Sequence, residues 1–508
     1  MCRFDAARVV EAELELVSQI SLLKRQHFHR RNSGLCRLPA EILTESLSFL
    51  SARDQLSVIR VCQQLRGHAI DAPSLWTHVD QIRNPAALSF VLERAKNLPV
   101  DITNLYVDSV NDVRFEAVTA HMHHIRTLGL RLSQSGCKLT TRSLAYTAFT
   151  TAAPVLQFLA FCAQPGVGSI GPPLVTSGFN IADNNKPRLS SLQIQGVKMA
   201  LSMWLRAPSL RTFSFSFDER SQHGDALLER SLSEYARNLT TINIELGGWN
   251  AARPYPYLGP SVKKINIRWT KDGLFFPRDA APNEAVWNAL QAIHVTHMCR
   301  GSADPPSVIP PLASFAIPET TAPYQTLSIR ASGAPNTRVH ARAIDRDDRE
   351  RVFCGLHPST VEGLVALIPG EELSSITIAT KAVALRVLSD AQCPVLSCIR
   401  LAPDTEDIAW VDRFARDISN IKTLERLEFI QEADLEAPKW TTAIIIRVVS
   451  CCIGAGNQLQ EVLFLGFSPE AQCLATVETF SQQIVVDRNW REPKNERAWF
   501  TEPPFEWF

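Results

Sequence analysis

The chain has 508 residues, 45% of them hydrophobic and 20% charged, enough apolar material for a large folded core. Its 52 Lys and Arg balance 52 Asp and Glu, so it lacks the basic excess expected of a nucleic-acid-binding domain. No apolar run approaches the ~18 residues that a bilayer crossing needs, and the opening MCRFDAARVVEAELELV lacks the apolar run of a signal peptide. The expectation is therefore a soluble chain of the cytoplasm or nucleus that binds neither nucleic acid nor membrane. The 12 cysteines are scattered without a C-x-x-C pair, as buried thiols rather than metal ligands would be.

Residues 1–36 divide into a helix over 5–28 and a basic connector from Lys24 to Arg31. Val9, Leu16 and Leu23 recur at heptad spacing with Ile20 beside them. Roughly three heptads are too few for a dependable coiled coil, so the helix either docks on its own domain or meets a partner.

Residues 37–80 contain LPAEILTESLSFLSARDQLSVIRVCQQLRGHAIDAPSLWTHVD. Pro39 suits the start of a helix on which Leu43, Leu47 and Leu50 form one apolar row and Ile42 and Phe49 a second. Ser51-Ala52-Arg53-Asp54 has capping-box form and opens a second helix with Leu56 and Ile59 on its apolar face. Val61, Cys62, Leu65 and Ala69 mark a third, which Pro73 stops before Leu75 and Trp76. Three short helices in about forty residues build a small core. The apolar surplus implies a partner surface or a neighbouring domain.

This stretch resembles an F-box. Leu38, Pro39, Glu41, Ile42, Leu43, Phe49, Leu50, Arg53, Asp54, Leu56, Val61, Cys62, Arg66, Leu75 and Trp76 follow its pattern in order. The form is most similar to the F-box of large families in mushroom-type fungi. Ser46, Leu47, Gln63, Gln64 and Leu65 depart from the usual residues. The resemblance implies binding of a Skp-family adaptor, and through it a cullin ligase, by Leu38, Pro39, Ile42, Leu43, Leu47, Phe49, Leu50, Leu56, Val61, Cys62, Leu65, Leu75 and Trp76.

Beyond residue 80 an L-x-x-L-x-L triplet recurs. It appears as Ile125-Leu128-Leu130, Leu156-Leu159-Phe161, Leu189-Leu192-Ile194, Leu210-Phe213-Phe215, Leu239-Ile242-Ile244 and Val262-Ile265-Ile267. It continues as Leu290-Ile293-Val295, Tyr324-Leu327-Ile329, Leu373-Ile376-Ile378, Leu396-Ile399-Leu401, Leu424-Leu427-Phe429 and Leu459-Val462-Phe464. The triplet alone is a weak signal. Preceding Pro or Asn and polar alternation, as in TTINIE and KKINIR, read as half-buried strands. The mean step of about 30 residues is close to the ~20–29 of leucine-rich repeats. DALLERSLSEYARN and DIAWVDRFARDISN read as helices returning the chain.

The fold expected is α/β overall: a three-helix F-box-like module, then an irregular leucine-rich-repeat-like solenoid over 81–487. An α/β domain without solenoid order is the alternative. Residues 165–173, 251–260 and 301–323 read as loops, and the charge run 342–351 as a solvated helix face or loop. The aromatic tail 488–508 reads as a cap or a partner-binding peptide.

No P-loop, G-x-G-x-x-G, G-x-S-x-G or H-E-x-x-H occurs, so neither catalysis nor a cofactor is expected. His121, His123 and His124, even with His294 and His297, lack metal-ligand spacing. Period-2 alternation turns Lys264, Arg268, Arg330, Arg400 and Arg426 outward from the repeats. They make a candidate basic surface for an unknown protein target, or else merely solvated strand faces. The overall expectation is a ligase substrate receptor, with a non-degradative interaction scaffold as the alternative.

Overall fold

The computed structural model describes residues 15, 18–21, 38–61, 63–107, 109, 111–132, 144–163, 188–195, 207–217, 237–246, 259–269, 290–297, 323–331, 338–365, 368, 372–379, 393, 395–402, 414, 418, 421, 423–431, 440–454, 459–488 and 490. The chain divides into two compact units, one built from residues up to Leu192 and the other from Leu210 onward. Seventeen strands are described.

The first unit begins with α1 (Ala40–Ser48), α2 (Ala52–Val58) and α3 (Gln63–Asp71), closed by a 3-10 turn at Pro73–Trp76. Then follow β1 (His78–Val79), α4 (Pro85–Arg94), β2 (Val100–Val107), α5 (Arg114–His121), β3 (Ile125–Leu132), α6 (Leu144–Thr150) and β4 (Phe158–Ala163). The four strands pair in parallel, with His78 opposite Asp101, Val100 opposite Ile125 and Leu128 opposite Leu159. Parallel neighbours need a crossover, and α4, α5 and α6 lie in those crossovers. Asn84 starts α4 by accepting from the Ala86 amide at 2.9 Å, with Pro85 in the first turn. The F-box-like stretch thus ends in a strand that joins β2.

Across this small sheet Arg126 donates to Asp101 at 2.9 Å, and Arg114 is held by Asp112 and the Ile82 carbonyl. The β2–β3 register shifts between Ile102 and Leu105. That shift brings the Thr103 carbonyl over Gly129, where an added Cβ would lie 2.2 Å from the Thr103 oxygen. Gly129→Ala should therefore cost about 1–3 kcal/mol as overpacking. Urea unfolding of the two chains checks this, and an unchanged midpoint would contradict the close approach.

At the division lies β5 (Ser191–Gln195). The second unit holds β6 (Thr212–Phe217), β7 (Thr241–Leu246), β8 (Lys264–Trp269), β9 (Ala292–His297), β10 (Tyr324–Ala331), β11 (Val339–Asp345) and β12 (Glu350–Leu356). It continues with α7 (Pro358–Val365), β13 (Ser375–Ala379), β14 (Cys398–Leu401), β15 (Arg426–Ile430), α8 (Thr442–Gly454), β16 (Leu459–Leu465), α9 (Ala471–Glu478) and β17 (Ser481–Asp487). Strands β6 to β9 are parallel in sequence order, as are β13 to β17.

Between these runs the repeat order breaks. β12 pairs parallel to β9 and β10 parallel to β13, with β11 antiparallel between β12 and β10. The charge run 342–351 is consequently not a helix face, and only its tip, residues 346–348, is an exposed turn. It is the hairpin joining β11 to β12. The Asp345 carboxylate accepts from the amides of Asp347 at 2.9 Å and Arg349 at 2.8 Å, and Asp348 takes φ 58°. Acidic side chains that bind their own turn make the hairpin, so the charges set its geometry.

Every member of the twelve triplets is no more than 4% exposed. Period-2 packing explains this, because neighbouring strands align triplet against triplet: Ile242 opposite Ile265, Leu427 opposite Val462. Phe429 stacks on Phe464 at 5.5 Å, and the Trp440 ring meets Phe429 edge-on at 4.8 Å. At β15–β17 the opposite face turns apolar as well: Ile430, Leu463 and Leu465 cluster there with Val485 and Trp490. The rest of the aromatic tail, the expected loop 165–173 and all but the last two residues of the expected helix 225–238 lie outside the described residues. So do Val9, Leu16 and Leu23; Glu15 and residues 18–21 are helical and exposed.

Among the described residues, no helix is long and apolar enough to cross a membrane, and no group of three His, Cys, Asp or Glu side chains is placed to hold a metal. The described cysteines are free thiols, and burial pushes those of Cys354 and Cys452 up to about 12.

Candidate functional site

The three-helix module separates its apolar residues into two rows. The extended Pro39 (φ −53°, ψ 149°) starts α1, and its carbonyl accepts from the Leu43 amide at 3.0 Å. On the inner row Leu43 and Leu47 are buried, and Leu43 packs on Leu65 with Val58 against them. On the outer row Ile42 is 45% exposed and Phe49 83% exposed. Leu38, four residues before Ile42, is exposed too, and Val61 is 71% exposed. Seven residues separate Ile42 from Phe49, two helical turns, so they share one face. Exposed aromatic and aliphatic groups in a row on one short helix make a partner-facing surface.

Several contacts hold this row in place. Ser51 accepts from the Asp54 amide at 3.2 Å and donates to the Asp54 carboxylate at 2.7 Å, which caps α2. Buried Gln55 donates to the carbonyls of Leu47 at 3.1 Å and Leu50 at 3.2 Å, satisfying the open end of α1. Trp76 is fully buried, donates to the Ala69 carbonyl at 2.8 Å and meets Phe90 of α4 edge-on at 5.8 Å.

The expected adaptor-binding residues therefore divide. Leu38, Pro39, Ile42, Phe49 and Val61 are exposed, and Leu50 and Leu56 are half-buried. Leu43, Leu47, Leu65, Leu75 and Trp76 are buried within the unit. In the chain by itself these five lie beneath the exposed row rather than on it. Cys62 lies outside the described residues. Sequence reasoning missed Gln55, whose only signal is a position one turn past Ser51.

The second candidate surface is the polar face of the long sheet. Its register runs Ser214, Asn243, Asn266, His294 across β6 to β9. Asn266 donates to Asn243 at 2.6 Å and Asn243 to Ser214 at 2.7 Å, both bonds buried. His294 meets Glu350 at 3.0 Å, and Arg342 donates to the same carboxylate at 2.6 Å. Burial pushes Glu350 up, but hydrogen bonds from His294 and Arg342 outweigh it and hold the carboxyl at about 2.

The expected basic surface is largely neutralised. Arg400 donates to Glu428 at 2.5 Å; Arg426 meets Glu428 at 2.7 Å and Glu461 at 3.1 Å. Two arginines against two glutamates leave no net charge at this part of the face. Arg268 lies opposite Glu245 in register, and burial lowers the Lys264 pKa while Glu350 acts against that shift. Arg330 is 9% exposed. Thus Lys264, Arg268 and Arg330 keep outward strand positions but are far from freely solvated.

Buried His340 on β11 gives this face a pH dependence. Burial depresses its pKa to about 4, from 6.5. The unfolded chain takes up the proton first, so stability is full above pH ~6.5 and falls as pH drops toward ~4. The loss from this group should reach about 3 kcal/mol. Burial lowers His121, His124 and His294 in the same direction. Denaturant unfolding at pH 7.5 and 4.5 checks this, and His340→Gln should flatten the difference.

A family model described as F-box-like matches residues 35–82, less than a tenth of the chain. No curated protein matches the chain. The matched segment contains the exposed row, all three helices and β1.

Proposed function

We propose that the chain is a substrate-recognition adaptor of a cullin-type ubiquitin ligase. The 35–82 segment is F-box-like. Such a domain suits substrate recognition in ubiquitin ligases or protein interaction more generally. The carrying observation is the exposed row Leu38, Ile42 and Phe49 on that segment, a surface to seat a Skp-family adaptor. In this reading the strand-rich remainder is an irregular leucine-rich-repeat-like solenoid that holds the protein target, and the chain sits with the F-box proteins of mushroom-type fungi. The chain has no catalysis or cofactor of its own and works in the cytoplasm or nucleus. It contributes proximity, raising the effective concentration of target lysines at the ubiquitin-carrying enzyme. Target docking is assigned to the strand face that carries Lys264, Arg268, Arg330, Arg400 and Arg426, the last two of which meet glutamates.

A second reading is a non-degradative scaffold. Exposed Ser46 and Glu45, polar residues between Ile42 and Phe49, favour it by thinning the apolar row. Co-purification of the tagged chain, followed by mass spectrometry, tests the first reading. A Skp-family adaptor and a cullin should both be retained. Retention of neither would sink it, and adaptor without cullin would favour the scaffold.

A further inference from the structure

We infer that the free edge of β17 pairs with β17 of a second copy of this chain, antiparallel about a two-fold axis at Ile484. β17 runs parallel to β16 and, among the described residues, pairs with no other strand. The Asp487 carbonyl accepts from the Gly466 amide at 2.8 Å, on the β16 side. Successive residues of a strand direct their N–H and C=O groups to opposite edges. Gln483, Val485 and Asp487 therefore bond toward β16, while Gln482, Ile484 and Val486 present theirs outward. An open row of such groups is a template for a further strand, and folded chains blunt it with charges, proline, a bulge or shortness. β1, which pairs only with β2 among the described residues, is two residues long. β17 has seven residues, a register on β16 without a shift, and no charge, proline or glycine before Asp487. Both of its faces carry apolar groups. Val485 joins Ile430, Leu463, Leu465 and Trp490 on one, and Ile484 and Val486 lie beside Val462 and Phe464 on the other, with Val486 36% exposed. Apolar groups on both faces suit a strand inside a sheet rather than at its rim.

A second copy is the occupant because the strand is complementary to itself. An axis at Ile484 sets Ile484 against Ile484, Gln483 against Val485, Gln482 against Val486 and Ser481 against Asp487. The outward N–H and C=O groups of Gln482, Ile484 and Val486 then all find partners, whereas an axis at Gln482 or Val486 carries the pairing past the end of the strand. The strand's one charge, on Asp487, meets a serine hydroxyl that can donate to it, and no like charges oppose each other. Such an isologous contact closes after two copies. Seven residues a side are few against the ~20–30 of a standard interface, so the association is weak and reversible. This pairing does not depend on the adaptor reading.

Sedimentation velocity of the full-length chain over about 1–200 μM is the test. The wild type should be half dimeric at roughly 10–100 μM, as suits a small interface. Gln482→Lys/Val486→Lys sets like charges opposite each other on both sides of the axis and should weaken dimerisation at least ~10-fold. Gln482→Lys/Val486→Glu sets opposite charges against each other and should dimerise within ~3-fold of wild type. Both positions are exposed, so the fold should hold, and thermal unfolding of each variant checks it. A wild type that stays monomeric throughout overturns the inference. If its Ile484 and Val486 amides are nonetheless protected from exchange, the edge is taken by the chain's own 491–508 segment. A dimer that both variants leave unchanged overturns it too, because the contact then lies elsewhere. Equal weakening in the two variants overturns the two-fold register.

Discussion

Replacing Ile42 with Glu and Phe49 with Lys together should lower affinity for a Skp-family adaptor at least ~100-fold. Truncating one interface hot spot costs ~2 kcal/mol or more, and this pair also puts two charges into a surface that a partner would desolvate. The fold should survive. Both side chains are already exposed, and exposed positions away from special features tolerate change within about 0.5 kcal/mol. The charges also suit their sites, with Glu in the first turn of α1 and Lys at its C-terminal cap. The measurement is adaptor binding by calorimetry beside thermal unfolding of the same samples. Full binding by the double variant would remove α1 from the interface.

The second large effect concerns Trp76. Trp76→Ala should destabilise the first unit by about 3–5 kcal/mol, the usual cost of truncating a buried aromatic. It also leaves the Ala69 carbonyl without its 2.8 Å donor and removes the edge contact with Phe90. Trp76→Phe should cost less, because most of the apolar volume remains and chiefly the hydrogen bond is lost, about 1 kcal/mol. Hydrogen exchange is the suitable readout, since a chain of two units need not unfold in one step. Loss of protection should extend from α3 into α4. If α4 keeps its protection in Trp76→Ala, the F-box-like segment and the neighbouring crossover are energetically separate.

Several features were legible in the sequence because they depend on near neighbours. The Ser51 side chain caps α2 as the spacing predicts. The two rows on α1 fall seven and four residues apart, and the helix period alone puts them on different faces. The triplets are buried throughout because strand alternation fixes which side chains point inward. Other elements were hidden because their cause lies far along the chain. β2 is an exception: Ile102, Leu105 and Val107 keep the triplet spacing and went unread, and only its register shift over Gly129 depends on β3. β17 reads SQQIVVD, too polar for the pattern, and becomes a strand because β16 offers it a parallel edge.

The sequence by itself determined the short helices of residues 38–76, the triplet-bearing strands and the F-box-like character of that segment, since all rest on local spacing and residue type. Only the tertiary structure decided which apolar residues of that module are core and which are surface. Leu43 and Ile42 are chemically alike and adjacent, and the arrival of Leu65 from α3 buries one and leaves the other open. It also decided the charge of the polar face. Arg400 and Glu428 are 28 residues apart, and the pairing of β14 with β15 alone brings them to 2.5 Å. Coulomb attraction is strong only at contact, so whether an arginine is free for a partner depends on distances that strand register sets.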